Sequence, residues 1–235
     1  MVVFFYICET KLSIQTRHPN HNQFQLMKKL TFLLLFLGSI NLSFSQGKEK
    51  GFVSLFDGKT FAGWKVNEEN PATFSIENGT IKVSGERTHL FYEGTVGNHD
   101  FKNFELKLKA KTLPGSNSGI FIHTTYQAKG WPEKGYEVQV NQTHTDWRKT
   151  GSLYSVSDVK ENLVKDNEWY EYDIIVKNKR VIIKINDKVA VDYTEPDTLP
   201  ENQGLKKLSS GTIALQGHDP KSVAYFKDIE LKILD

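Results

Sequence analysis

The chain has 235 residues, of which 38% are hydrophobic, 12% aromatic and 25% charged. This composition is typical of a soluble globular protein and excludes disorder along the whole chain. All-β domains often reach this length without dividing, so one domain with a well-buried core is expected.

An export signal is predicted near the start of the chain. Met27 and two lysines precede an apolar run over residues 30–37, and the small residue Ser45 closes the segment. The run is shorter than the roughly 20 residues of a membrane-spanning helix. We therefore expect a signal peptide over residues 27–45. The residue after it is Gln46, whereas a bacterial lipoprotein has a cysteine at that position. The mature protein would be periplasmic or secreted, with no transmembrane segment.

Residues 1–26 precede this signal, either as an over-extended reading frame with Met27 as the true start or as a tolerated leader. The only cysteine, Cys8, lies there, so the domain expected over residues 46–235 has neither a disulfide nor a thiolate nucleophile. Segment 1–45 also holds four basic residues and one acidic residue, which leaves a net charge of about −1 for the rest. Without a basic surplus, no nucleic-acid partner is predicted.

Beyond residue 51 the hydrophobic residues recur with period two, which is the pattern of half-buried strands. Asn78 and Gly79 separate two such runs and predict a hairpin with a type I′ turn. Residues 104–111 alternate in the same way, and residues 168–193 predict a meander. Segments 127–135, 143–150 and 195–210 are rich in Gly, Pro or polar residues and are expected to be rim loops. The fold class is therefore all-β, a sandwich or jelly roll of antiparallel sheets in a single domain.

Polar residues lie opposite the core positions of several predicted strands. Glu137 and Gln139 alternate with apolar neighbours, and His123, Gln216 and His218 occupy similar positions. Such groups hydrogen-bond sugar hydroxyls and transfer protons. Outward polar residues can also simply meet water, since one face of an antiparallel sheet is commonly solvated. The clustering favours a carbohydrate site.

Six short motifs occur in order along the chain: residues 56–64 (FDGKTFAGW), 117–121 (NSGIF), 135–139 (GYEVQ), 150–154 (TGSLY), 168–169 (EW) and 215–218 (LQGH). Together they resemble the 3-keto-disaccharide hydrolase family. The resemblance implies a concanavalin A-like jelly roll, export from bacteria and cleavage of glycosides oxidised to a ketone at C3. The same family label covers hydrolases, lyases and hydratases, so the outcome stays open at this point.

The residues and this resemblance suggest a mechanism. Gln139 stands two positions after Glu137, where a two-carboxylate glycosidase of similar fold would carry a second acid, so the ordinary mechanism is poorly supported. A ketone at C3 acidifies the C2 proton, and either Glu137 or His218 is expected to be the catalytic base. His123, Gln139 and Tyr154 would donate to the developing oxyanion or the leaving oxygen.

Further substrate-binding residues are expected around this group. Asn117 and Gln216 would supply amides. Trp131 and Trp147 lie in predicted rim loops, where an indole stacks on a sugar ring or instead plugs the end of the core. Arg148 would bind hydroxyls or only fix its loop. The partner is then a small-molecule or oligosaccharide substrate.

No cofactor is predicted. His144 with Asp146 is a weak metal pattern without a zinc or calcium motif, so a divalent cation stays open. Two other hypotheses compete with an enzyme, because a fold does not determine a function. One is a non-catalytic, lectin-like carbohydrate-binding module, and the other is a structural or surface-assembly protein.

Overall fold

The computed structural model describes residues 51–200 and 204–235. The upstream extension 1–26, the signal peptide 27–45 and the expected new N-terminus at Gln46 all lie outside these described residues. Within residues 51–200 and 204–235, no helix combines the length and the apolar character that crossing a membrane requires. Apart from two short 3₁₀ turns, at Pro71–Thr73 and Val96–His99, the regular structure of this part of the chain is β.

In the described residues, thirteen strands form two antiparallel sheets. The strands are β1 (Val53–Ser54), β2 (Trp64–Val66), β3 (Phe74–Glu77), β4 (Thr80–Ser84), β5 (Thr88–Tyr92), β6 (Phe104–Thr112), β7 (Asn117–Thr124), β8 (Tyr136–Asn141), β9 (Tyr170–Lys177), β10 (Arg180–Ile185), β11 (Lys188–Thr194), β12 (Thr212–Gly217) and β13 (Val223–Ile233). The larger sheet has the order β11-β10-β9-β6-β13-β4-β3, with β1 paired to β13. The smaller sheet has the order β2-β5-β12-β7-β8. This arrangement confirms the predicted all-β sandwich.

The predicted turns form where the sequence places them. Asn78 and Gly79 connect β3 to β4 with φ of 50° and 77°, as a type I′ turn requires. Asn178 connects β9 to β10, and Asn186 with Asp187 connects β10 to β11, all three with positive φ. The meander expected over residues 168–193 is therefore correct.

The main core fills the space between the two sheets. Side chains of alternating strand residues face it, as the burial of Leu106 and Leu108 in β6 shows beside the part-exposed residues between them. Ile120, Val138 and Phe226 are fully buried in the same core. Burial of so much apolar surface stabilises the sandwich and fixes the register of each strand.

Loops also cover the other face of the smaller sheet. Phe91, Phe121 and Ala214 form a second apolar cluster there, with Tyr126 packed against it. Every residue of β5, β7 and β12 is buried as a result. The polar residues of this sheet therefore do not spread over an open surface, and most of them are enclosed beneath loops.

The outer edge of β8 is paired with a segment of irregular chain. The backbone N–H of Gly151 donates to the Gln139 carbonyl over 3.1 Å, and that of Tyr154 donates to the Glu137 carbonyl over 2.9 Å. In return, the Gln139 N–H donates to the Ser152 carbonyl over 2.9 Å. These bonds satisfy an edge that would otherwise be open. They also bring Tyr154 beside Glu137.

Candidate active site

A cavity of about 260 Å³ opens on the loop-covered face of the smaller sheet. Strands supply part of its lining and loops supply the rest. The lining residues are Asn117, Phe121, Trp131, Pro132, Glu137, Gln139, Asp146, Tyr154, Lys206, Gln216 and His218.

The strand pairing explains why these side chains meet. Gly119 pairs with Gln139 and Phe121 pairs with Glu137 across β7 and β8. Successive side chains of a strand point to opposite faces, so residues two apart share the face away from the core. On the other side of β7, β12 brings Gln216 to the same face.

Glu137 occupies the floor of this cavity and is only partly exposed. Its Oε1 accepts a hydrogen bond of 2.8 Å from Gln216 Nε2. Burial raises the pKa of the Glu137 carboxyl to about 7, against the lowering effects of Gln216 and Lys206, and the nearby Asp146 raises it further. Near neutral pH this group can therefore both accept and donate a proton.

Gly119 makes room for that carboxylate. A Cβ at position 119 would lie 3.0 Å from Cδ of Glu137 and still closer to its Oε1. The backbone of Gly119 does not have positive φ, so the glycine is required here for space. The position of the Glu137 carboxylate thus depends on the absence of a Cβ atom at residue 119 of the neighbouring strand.

Two amides extend the polar floor beside Glu137. Gln139 Nε2 donates to Asn117 Oδ1 over 2.9 Å. The Oε1 atoms of Gln139 and Gln216 are buried and have no hydrogen-bond partner in the structure. Buried acceptors without partners are costly, and a ligand hydroxyl in the cavity would satisfy them.

Tyr154 and Asp146 also line the cavity and contact each other. Tyr154 OH donates to Asp146 Oδ2 over 3.3 Å. Asp146 Oδ1 accepts from the Arg148 N–H over 2.9 Å and lies 3.5 Å from the guanidinium of Arg148. Asp146 is thus a second carboxylate in the cavity.

His218 lies at one end of the cavity, in contact with a tryptophan and an aspartate. Its ring centroid is 5.5 Å from that of Trp131. Its Nδ1 lies 2.8 Å from Asp219 Oδ2. His144 approaches the same carboxylate, with Nε2 at 3.8 Å from Asp219 Oδ2.

The matches to known proteins fit this geometry. Residues 51–232 match the family model of the 3-keto-alpha-glucoside-1,2-lyase-like domain. The chain belongs to this family. A curated 3-keto-disaccharide hydrolase from Bacteroides thetaiotaomicron is 32% identical over an alignment that covers 61% of this chain and 58% of the relative. The match thus spans less than two thirds of that relative.

Solved structures of similar fold come from Parabacteroides distasonis. One, described as a candidate glycosyl hydrolase, is 25% identical, with a TM-score of 0.69 over 81% of this chain and 97% of that chain. A second, 23% identical, gives a TM-score of 0.60 over 78% of this chain and 99% of that chain. The second supports the fold alone, and both agree with the jelly-roll sandwich.

Most of the residues that the sequence predicted for a site of this family come together in the cavity. They are Asn117, Trp131, Glu137, Gln139, Tyr154, Gln216 and His218. Their proximity does not test their individual roles, which stay predictions. For Trp131, the interpretation as a plug of the core is wrong, because the residue is 42% exposed and belongs to neither apolar cluster of the described residues.

The prediction for His123 is wrong, because its side chain does not lie on the polar face of the site. Its φ is 54°, and the pairing of β7 with β12 shifts register beside it. The bulge turns the ring against Phe104 of the core, with ring centroids 5.7 Å apart. Nε2 lies 3.0 Å from the Lys102 carbonyl, and Nδ1 accepts from the Ser209 N–H over 3.1 Å. Neither nitrogen remains for a substrate.

Trp147 and Arg148 do not line the cavity. Trp147 is 48% exposed and borders a separate shallow pocket with Thr145, Lys149 and Lys160. Arg148 stacks on Trp147 and Tyr154, at 4.7 and 4.6 Å from their ring centroids. Arg148 therefore contacts the wall of the cavity from behind, as expected of a residue that fixes its loop.

The site has members that the sequence analysis did not assign to it. Phe121, Pro132 and Lys206 line it, and Asp219 and Gly119 position other groups. Phe121 and Gly119 share the alternating face of Asn117, which is a signal that could have found them. No local pattern marks Lys206, because the fold of its loop brings it to the cavity.

Proposed function

We propose that this protein cleaves the glycosidic bond of 3-keto-glycosides, with an oligosaccharide or a small glycoside as substrate. One observation carries the proposal: a carboxyl group with a pKa near 7 lies on the floor of a polar cavity beside amides with unpaired acceptors. The name of the Bacteroides thetaiotaomicron relative supports the choice of substrate.

Glu137 is the base of the proposed reaction. It removes the C2 proton, and the electron pair forms an enolate across C2 and C3. The enolate then expels the oxygen at C1, which takes a proton from His218. Water adds at C1 of the resulting enone and C2 regains a proton, so the net reaction is hydrolysis. Gln139, Asn117 and Tyr154 hold substrate hydroxyls and donate to the developing oxyanion.

The first test compares two substrates. Residues 46–235, purified, are incubated with an aryl 3-keto-glucoside and with the matching unoxidised glucoside, and release of the aryl alcohol is measured. We expect release from the keto substrate alone. Release from neither, with saturable sugar binding retained, would favour the lectin-like module.

Substitution of the base is the second test. Glu137→Gln removes the proton acceptor and keeps the shape of the side chain, so kcat should fall by about 100-fold or more. Glu133→Gln is the matched control, because Glu133 is exposed and does not line the cavity. A folded Glu137→Gln protein with undiminished turnover would remove Glu137 from the mechanism.

A second candidate function has an observation of its own. Asp146 shares the cavity with Glu137, so the pair resembles the acid and the nucleophile or base of an ordinary glycosidase. The sequence does not reveal this pair, because Asp146 lies in a loop and no second carboxylate follows Glu137 along its own strand. Release of the aryl alcohol from the unoxidised glucoside would favour this mechanism.

Export completes the proposed function, since a carbohydrate-cleaving protein outside the cytoplasm meets its substrate directly. The predicted signal at residues 27–45 supports this location.

A further inference from the structure

Asp219 is held in place by two hydrogen bonds that its carboxylate accepts. Its Oδ1 accepts from the Lys221 N–H over 2.9 Å. Its Oδ2 accepts from Ser222 Oγ over 2.6 Å. These bonds lower the pKa of the carboxyl, although burial acts in the opposite direction as the largest single effect. The bonds from Lys221 and Ser222 thus fix the position of the carboxylate beside His218.

The same carboxylate determines which nitrogen of His218 carries a proton. His218 Nδ1 lies 2.8 Å from Asp219 Oδ2. An ionised carboxylate only accepts hydrogen bonds, so the contact requires Nδ1–H. In the neutral ring, Nε2 is then the unprotonated nitrogen. His218 lines the cavity, so this free lone pair belongs to a group beside the substrate.

His144 joins the arrangement from the other side. Its Nδ1 accepts from the Asp146 N–H over 3.1 Å and lies 3.4 Å from the Asn117 amide nitrogen. Both neighbours are donors, so the neutral ring carries its proton on Nε2, the atom that faces Asp219 at 3.8 Å.

That tautomer disfavours a metal ion at the same place. One ligand atom from each of His144, His218 and Asp219 lies within 4.8 Å of the others, a spacing that a metal would tolerate. A metal bound at His144 Nε2 needs a lone pair there. The backbone N–H of Asp146 already occupies the lone pair of His144 on Nδ1. The hydrogen bonds thus favour protonated nitrogens facing Asp219 over a metal centre.

We propose that Asp219 is a positioning residue that holds His218 in its Nδ1–H tautomer and presents Nε2 to the glycosidic oxygen. This inference rests on the proposed function for its role in catalysis. In the cationic ring, Nδ1–H stays on Asp219 and the Nε2 proton passes to the leaving oxygen. The neutral ring that remains accepts a proton at Nε2 from the water that adds at C1.

The substitution Asp219→Asn tests the tautomer. The Lys221 N–H can only donate, so it selects the amide oxygen of the new side chain and directs the NH₂ group to the position of Oδ2. The NH₂ group then donates to His218 Nδ1 and forces the proton onto Nε2. Asp187→Asn is the matched control, in an exposed turn where φ is 64° and asparagine is well tolerated.

Nitrogen-15 NMR of the histidine side chains gives a readout without substrate. For neutral His218 we expect Nδ1–H in the wild type and in Asp187→Asn, and Nε2–H in Asp219→Asn. With the 3-keto-glucoside, kcat of Asp219→Asn should fall by about 100-fold while KM changes little. A wild type with His218 in the Nε2–H form would overturn the proposal, whether or not the variant folds.

A zinc titration distinguishes the proposed hydrogen-bonded arrangement from a metal site at the same residues. Stoichiometric Zn²⁺ binding that moves the nitrogen resonances of both His144 and His218 would overturn the proposal in favour of a metal site. Absence of turnover in the wild type would remove the proposed function, whereas the tautomer measured by NMR would still decide the role of Asp219.

Discussion

The carboxyl group of Glu137 has a raised pKa because the cavity walls exclude much of the water around it. The one hydrogen bond from Gln216 lowers the pKa but does not offset this effect of burial. As a base it works only when ionised. We therefore expect kcat/KM on a 3-keto-glycoside to fall as the pH drops below about 7. A profile that stays flat down to pH 5.5 would contradict the role of Glu137.

The same shift has a cost in stability that can be measured. A carboxyl whose pKa is higher in the folded than in the unfolded protein stabilises the fold while protonated, and this contribution is lost as the pH rises from 4.5 through 7. At about 1.4 kcal/mol per pKa unit, the loss is on the order of 3 kcal/mol. Glu137→Gln should thus gain stability relative to the wild type between pH 4 and pH 8.5, as measured by urea unfolding.

Gly119 allows a test of geometry with the catalytic groups unchanged. Gly119→Ala places a methyl group against the Glu137 carboxylate, whose flexible end can move aside. We expect at least a tenfold loss in kcat/KM and a change in unfolding free energy of about 1 kcal/mol or less. Unchanged activity would show that the position of the carboxylate is not critical.

His89 is a buried histidine outside the proposed mechanism. It is fully buried against Phe121 and Trp131, and neither ring nitrogen has a hydrogen-bond partner in the structure. Burial lowers its pKa to about 3. The unfolded chain binds a proton at about 6.5, so stability is lost as the pH falls below that value.

This predicts a specific variant effect. By pH 5 the loss is about 2 kcal/mol, and His89→Leu should be free of it. The difference in unfolding free energy between His89→Leu and the wild type should therefore grow by that amount from pH 7.5 to pH 5. A difference independent of pH would mean that the ring keeps an ordinary pKa.

At the scale of the strands and turns, the β3–β4 hairpin depends on its two turn residues. Gly79 has a φ of 77°, and a Cβ there would meet nothing within 4 Å. Gly79→Ala thus tests backbone strain alone and should cost about 1 kcal/mol in urea unfolding, with turnover unchanged. Asn at the same position should restore part of the loss, because asparagine adopts positive φ more readily.

Sequence periodicity predicted these elements well, because a strand with one buried face repeats every two residues. It failed at His123, where a bulge in β7 reverses the side chain, and nothing in the local pattern marks a bulge. It also could not show that Asp146 shares the cavity with Glu137, since this depends on how the 143–150 loop folds over the sheet. Contacts within strands were thus predictable, while contacts between loops were not.

At the scale of the whole molecule, the described residues form one sandwich around one main core. The export signal predicted over residues 27–45 can be tested by the mass of the exported product. When the full chain is expressed in a bacterium, the mass of the product recovered outside the cytoplasm should correspond to a start at Gln46. A product that retains residues 27–45 would contradict the predicted cleavage.

The cavity draws its parts from two sources. Strands hold Asn117, Glu137, Gln139 and Gln216, whereas Trp131, Asp146, Tyr154, Lys206 and His218 come from the loops around them. Changes of loop length and sequence do not disturb the register of the sheet. Changes in the loops can therefore alter the groups at the rim of the cavity while Glu137 and the amides of the strands keep their positions. Related proteins of this fold should then differ most in which glycosides they accept, and a library confined to these loops is the natural route to new substrates.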